Sequence, residues 1–280
     1  MPGGNKLYGV MRLMEQQKSG EFVPDLVFLM NAGPLEDGFW KRENFPHSLM
    51  VYEAGDEPQT HHWNKVKAEN SDLILTPDKR CYEWYKQNLF GPECIYTAHW
   101  ASTEIYYPNK WIHEYEPLDT DVLAIAKREI RQPFDVVTTC GDRGEITTFL
   151  QNELQHSFYN KTGMKDIENG DFYRRGKIVF QKSRYDEVTR RVFEGMACGA
   201  MVITDRISAE AGLTDLFIED KEIVLYSTKE EALEKILYYL AMPKEREQIA
   251  WAGCTKTLNY HTSDVIVKKI IKFAEKNNVT

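Results

Sequence analysis

Glu194 stands inside an otherwise apolar helical run, Arg190-Arg191-Val192-Phe193-Glu194-Gly195-Met196-Ala197-Cys198-Gly199, which leads directly into the β-branched stretch Met201-Val202-Ile203-Thr204. A buried carboxylate is costly unless partners meet it. One set of partners would be vicinal hydroxyls, which acidic residues accept from ribose rings. The plainer alternative is that Glu194 pairs with Arg190 or Arg191, or faces solvent. A second cluster, Gly141-Asp142-Arg143-Gly144-Glu145, lies between an apolar run and a helical one. Glycines there let the backbone approach a phosphate, helix N-terminal amides attract anions, and Arg143 offers a bidentate clamp. Taken alone, such a turn is more often only a turn. Lys182 and Arg184 follow the next apolar run, and Asp205 and Arg206 the one after it. They are either anion ligands or ordinary solvated charge.

In the first half, Gly55-Asp56 and His61-His62 follow the apolar run at 48–54. A histidine is more often structural than catalytic, and adjacent histidines lack the spacing that makes a metal site, so no metal is expected. His99 and Trp100 read as filling for a seam between domains.

These residues need a scaffold that brings the ends of several strands together. Apolar runs at 24–30, 48–52, 72–75 and 94–97 read as buried strands separated by helix-length stretches such as 78–89. Continuous apolar runs alternating with helices indicate a parallel sheet covered on both faces. A helix is also expected at 8–18. Pro108, Pro117 and Pro133 then punctuate a polar stretch around a helix-like segment at 121–130. A second series follows: strand 134–140, helix 145–154, a Gly/Asn/Lys-rich connection, strand 177–181, helix 187–198 and strands 201–204 and 222–226. Three helices close the chain. The first carries Ser227 and Glu230 in capping-box spacing, the second begins at Pro243, and the third spans 263–276. The expected fold is α/β, with two doubly wound Rossmann-like domains. The expected domains are 1–130, 131–262, and 263–280 as a helix returning to the first. In such sheets ligands bind beyond the carboxyl ends of the strands, where the charged residues above fall.

Composition excludes several classes. The 280 residues carry 35 Lys+Arg against 43 Asp+Glu, a net charge of −8, so the general electrostatic footprint of a nucleic-acid binder is missing. No apolar stretch approaches a membrane span, and the start resembles no signal peptide. Cys81, Cys94, Cys140, Cys198 and Cys254 are odd in number and form no Cys-x-x-Cys, which suggests reduced thiols in a cytoplasmic protein. The sequons at Asn160 and Asn278 then read as chance matches.

The run at 190–205 resembles the signature of GT-B glycosyltransferases, in the group related to retaining family 4 that includes the spore-maturation-protein-like enzymes. The likeness continues through Gly212-Leu213-Thr214-Asp215-Leu216-Phe217 and Met242-Pro243-Lys244-Glu245-Arg246, with weaker echoes at 52–58, 71–78 and 104–108. It implies a metal-independent transfer of a sugar from a nucleotide diphosphate sugar to an acceptor hydroxyl, with no permanently bound cofactor. In its terms Glu194 binds the donor ribose, and Asp186, eight positions earlier, contacts the transferred sugar or diphosphate although the family has Glu there. Gly141, Arg143, Gly144, Lys182, Arg184, Arg191 and Asp205 complete the expected donor site. Ser208 and Glu210 are further candidates for donor hydroxyls. Asp56 and His61 are the expected catalytic residues on the acceptor side. The first domain looks reduced at its start, because the family's opening glycine-rich loop has no counterpart. The acceptor is expected to be a glycan or, in a viral setting, a modified DNA base, although charge does not indicate nucleic acid. A nucleotide-sugar epimerase and a nucleotide-sugar-binding protein without turnover are the alternatives.

Overall fold

The first parallel sheet consists of Leu26–Met30 (β1), Leu49–Glu53 (β2), Leu73–Thr76 (β3) and Glu93–Tyr96 (β4), in the order β1-β2-β3-β4. The computed structural model describes residues 16, 19–20, 22–30, 38–109 and 133–278. The helix expected at 8–18, that at 121–130 and the boundary near 130 lie outside or almost wholly outside these residues. Helices His61–Glu69 (α1) and Lys79–Asn88 (α2) link the later strands of this sheet. Asp78 starts α2 by accepting the Cys81 amide at 3.1 Å, which satisfies one of the free donors of the first turn. Met50, Tyr52 and Ile74 are wholly buried, in a cluster with Trp40, Phe45 and Tyr85.

The second sheet contains Phe134–Thr138 (β5), Phe158–Asn160 (β6), Gly176–Gln181 (β7), Met201–Asp205 (β8) and Val224–Tyr226 (β9). All neighbours are parallel, in the order β6-β5-β7-β8-β9. The chain therefore moves outward from β5 to β6, then returns to build β7 on the other side of β5. That reversal is a topological switch point, and it opens a crevice beyond the carboxyl ends of β5 and β7. Helices Glu145–Leu154 (α3), Asp166–Arg174 (α4), Arg190–Ala197 (α5), Leu213–Leu216 (α6), Lys229–Ala241 (α7) and Pro243–Tyr260 (α8) surround the sheet. Ser263–Lys276 (α9) ends the chain. Val136, Ile178, Phe180, Ile203, Val224 and Ile236 form the centre of this core.

By contacts the chain divides into two compact units, Met1–Ala98 with Val267–Thr280, and His99–Ile266. Residues 99–109 pack on the second unit, where the Arg174 guanidinium donates to the Ile105 carbonyl at 2.6 Å. Within the first unit, Lys276 pairs with Glu93 at 2.7 Å.

Small residues in α5 do what their size suggests. A Cβ on Gly195 would lie 3.0 Å from Val179 Cγ1 and 3.1 Å from Val202 Cγ2. Helix α5 thus rides closely on β7 and β8. Two expectations are corrected. The connection after α3 is not irregular: it holds β6, a three-residue strand, and α4. The cap of α7 sits one residue later than the spacing suggested. Thr228 accepts the Glu231 amide at 3.1 Å, and the Glu231 carboxylate accepts from the Ser227 amide at 2.7 Å.

Candidate functional site

Beyond the switch point lies a cleft of about 430 Å³, lined by the ends of β5 and β6, the start of α4, the loop after β7 and one face of α5. Five cations line it (Arg143, Lys161, Arg184, Arg190 and Arg191) against two acids, Asp166 and Glu194. In a chain of net charge −8 this is a local inversion, and a low-dielectric cleft of one sign concentrates ligands of the other.

The loop after β5 is held by an unexpected residue. Gly141 has φ +64°, and a Cβ there would lie 2.9 Å from Thr162 Cγ2. Asn160, at the end of β6, donates to the Gly141 carbonyl at 2.9 Å and accepts its amide at 3.1 Å. The Asn160 side chain is thereby committed to the loop rather than offered as a glycan acceptor. Gly144, at φ +80°, caps α3.

Arg143 and Arg191 converge from two elements. Arg143 Nη1 donates to the Lys182 carbonyl at 2.6 Å, while its Nε is buried without a partner. Burial, and then the nearby Arg191 and Arg184, push the Arg143 guanidinium below its ordinary pKa. An anion among these three groups would relieve that repulsion. Arg191 Nε donates to Thr139 Oγ1 at 3.1 Å, and Thr139 shares a 2.6 Å hydrogen bond with the buried Tyr173 hydroxyl. This chain fixes the direction of the guanidinium.

Glu194 is buried in the same cleft, 8% exposed. Burial raises its pKa, opposed by Arg190, Arg191 and a hydrogen bond from Tyr106. The alternative of simple solvent exposure is therefore removed, and the arginines of its own helix are neighbours in a shared cleft.

Of the residues singled out by sequence, the cleft gathers Arg143, Arg184, Arg191 and Glu194, with Gly141 and Gly144 shaping the loop beside it. Lys182 and Asp205 instead face one another at 2.8 Å. Asp205 also accepts the Ser183 amide at 2.7 Å and the Ser183 hydroxyl at 2.5 Å, which ties the ends of β7 and β8 together. Its carboxylate is consumed by the chain itself. Asp205→Ala is accordingly expected to cost about 2 kcal/mol, because it strands the amide and hydroxyl of the buried Ser183. Chemical denaturation checks this, and a loss below about 1 kcal/mol would show that the tie carries little. Asp186, at φ +55°, accepts the Ser208 amide at 2.7 Å and hydroxyl at 2.6 Å, outside the lining of the cleft.

Asp56 and His61 belong to the first unit, beyond the end of β2. Asp56 has φ +53°, and its carbonyl accepts from the Thr60 amide at 3.1 Å. His61 Nδ1 lies 2.9 Å from the Glu57 carboxylate, which also accepts from Tyr85 at 2.6 Å and from Thr76. Cys81 Sγ falls within 4.8 Å of the His61 and Glu57 ligand atoms. Glu57 already has three hydrogen-bond partners, whereas His61 Nε2 is buried without one.

The sequence reading missed Tyr106, Lys161, Thr162, Met164, Asp166 and Asn169 as cleft residues. The signals were slight: an aromatic strand of only three residues, Phe158–Asn160, and the acidic first turn of α4 at Asp166 and Glu168.

Residues 155–272 match a family model described as glycosyl transferase-like. No curated protein sequence matches the chain. Among solved structures, sucrose-phosphate synthase from Thermosynechococcus elongatus superposes with a TM-score of 0.65 at 12% identity, covering 99% of this chain and 80% of that one. The Anabaena protein HepE, solved in complex with UDP and glucose, gives 0.65 at 12% identity over 95% and 81%. A putative UDP-N-acetylglucosamine 2-epimerase from Listeria monocytogenes gives 0.56 at 12% identity over 96% and 77%. The fold is GT-B. At these identities the structural likeness concerns fold alone, and the family match adds a glycosyl transferase-like segment that contains all of α5 and most of the cleft's remaining lining. Among the described residues no helix is long and apolar enough to cross a membrane.

Proposed function

We propose that the chain is a nucleotide-sugar-dependent glycosyltransferase whose second unit binds the donor. The observation that carries this reading is the pairing of five cations with a buried carboxylate in one cleft at the switch point. A nucleoside diphosphate sugar has the matching parts. Its diphosphate suits Arg143, Arg184 and Arg191, and its hydroxyls suit Glu194. A neighbour of the same fold binds UDP and glucose, which favours UDP as the first donor to try.

In transfer, the bond between sugar and diphosphate breaks and negative charge grows on the leaving phosphate oxygen. Arginines already fixed in place offset that charge without reorganising, usually the largest catalytic contribution in such reactions. The hydrogen bonds that aim Arg191 at Thr139 and Arg143 at the Lys182 carbonyl support this role for both. The first unit takes the acceptor in this reading, with Asp56 and His61 as its candidate catalytic groups. The grouping with retaining family 4 rests on the run at 190–205 and would make the transfer retaining. The acceptor is taken to be a glycan hydroxyl, since a net charge of −8 disfavours nucleic acid. Five free cysteines, four of them buried, suit a reducing cytoplasmic setting.

The test is release of nucleoside diphosphate from a panel of donor sugars, with and without glycan acceptors. Acceptor-dependent release from at least one donor is expected. Interconversion of the sugar while it stays attached to the nucleotide would instead favour an epimerase, a reading that shares a neighbour of this fold. Tight binding without either reaction would make the chain a binding protein.

A further inference from the structure

We propose that Tyr106 is a positioning residue of the cleft: its hydroxyl, oriented by Asn169, donates to the Glu194 carboxylate and fixes it as an acceptor for ligand hydroxyls. This rests on the donor-site reading above.

The geometry assigns the proton. Asn169 Nδ2 donates to the Tyr106 hydroxyl oxygen at 3.1 Å. A phenol has one proton to give, and with its oxygen accepting from Asn169, that proton is left for Glu194, which lines the same cleft and whose pKa the Tyr106 hydroxyl lowers. Tyr106 is 5% exposed, its ring centroid 6.3 Å from that of Tyr173. Burial and the Glu194 charge push its pKa upward, so it keeps the proton across the working range.

The segment carrying Tyr106 is locked onto α4. The Tyr106 amide donates to the Ser102 carbonyl at 2.8 Å, and Arg174 holds the Ile105 carbonyl. A Cβ on Gly170 would meet that same carbonyl at 2.4 Å, so only glycine allows α4 to approach this closely. The result is a cleft that offers two chemically distinct sets of groups. Arg143, Arg184 and Arg191 supply cations, whereas Glu194 and the buried, unpartnered Asn169 Oδ1 supply acceptors. A ligand with a diphosphate joined to a polyhydroxylated ring fits that division.

The groups facing Glu194 are Arg190 and Arg191 from α5, Cys198 just beyond its end, Asp166 and Tyr173 from α4, and Tyr106. The arginines and Tyr106 favour the carboxylate, and burial with Asp166 opposes it. Removing the phenol hydroxyl therefore has a defined sign: the midpoint of Glu194 titration rises.

The test is a carbon-13 NMR titration of glutamate-labelled wild type and Tyr106→Phe, with the Glu194 carboxyl assigned from Glu194→Gln. The midpoint is expected to move up by about one pH unit in Tyr106→Phe. In parallel, the Kd for UDP-glucose is measured across the same pH range, because its phosphodiesters do not titrate there. Its weakening on the acid side should move by the same amount, and Tyr106→Phe should add nothing in the Glu194→Gln background. An unmoved midpoint, or equal weakening at every pH, overturns the assignment and leaves Tyr106 a packing residue. A moved midpoint without UDP-glucose binding at any pH supports the Tyr106–Glu194 coupling and overturns UDP-glucose as donor. Asn169→Ala, which releases the phenol from its anchor, carries the same titration if Tyr106→Phe does not fold.

Discussion

Arg143→Ala is expected to weaken binding of a nucleoside diphosphate sugar about 10- to 100-fold while leaving the melting temperature unchanged or slightly higher. Charge-assisted hydrogen bonds to a phosphate contribute roughly 1.5–3 kcal/mol each, which converts to that range. The stability side follows from what Arg143 does without ligand. It is half-buried, crowded by Arg191 and Arg184, and has an unpartnered Nε. Its one hydrogen bond runs to the Lys182 carbonyl, which also accepts Gln181 Nε2 at 3.1 Å and so is not orphaned by the change. Calorimetric titration and thermal melts separate the two effects. A variant that melts several degrees lower and binds normally would make Arg143 a structural residue.

The second large effect concerns Glu194. Glu194→Gln should reduce affinity for the same donor about 100-fold, since an amide offers one acceptor oxygen without charge and adds a donor that faces ligand hydroxyls poorly. It should also change how stability depends on pH. Burial lifts the Glu194 pKa above its value in the unfolded chain, so the native state binds this proton more tightly. Its ionised form therefore costs native stability, and the cost grows as pH rises from the unfolded value through the raised native one. Glutamine removes that cost. The melting temperature of Glu194→Gln minus that of wild type should grow as pH rises above the ordinary glutamate value of 4.5. A flat difference would mean that Arg190 and Arg191 fully offset the burial of Glu194.

Long elements with an unbroken apolar character could be read directly. The strands at Leu73–Thr76 and Met201–Asp205 are buried at every position, and a strand covered on both faces announces itself as a continuous run. Asp78 and Pro243 marked helix starts because caps and first-turn prolines satisfy local rules. Glu194 stood out because a charge in an apolar helix must be answered by something. What stayed hidden depends on tertiary pairing. Phe158–Asn160 is a strand only because β5 offers an edge to pair with, and three residues show no periodicity of their own. Asn160 begins a sequon that reads as a chance match, and nothing in that motif shows that its amide serves the Gly141 turn nineteen residues away. Lys182 and Asp205 shared a plausible place at the sheet's carboxyl edge. That they pair with one another, and that Asp186 turns to Ser208, follows from how the strand ends meet in three dimensions. Tyr106 reaches the cleft through a chain of hydrogen bonds that no spacing rule encodes.

The most direct test of the donor cleft is a thermal-shift panel of nucleoside diphosphate sugars against wild type and Glu194→Ala. A donor at about 100 times its Kd adds roughly 2.7 kcal/mol to native stability, a rise of about 5 °C or more for a chain of this size. The account predicts that at least one donor raises the wild-type melting temperature by this order and that the rise disappears in Glu194→Ala. A panel in which no donor stabilises wild type, or in which one stabilises both proteins equally, would contradict it.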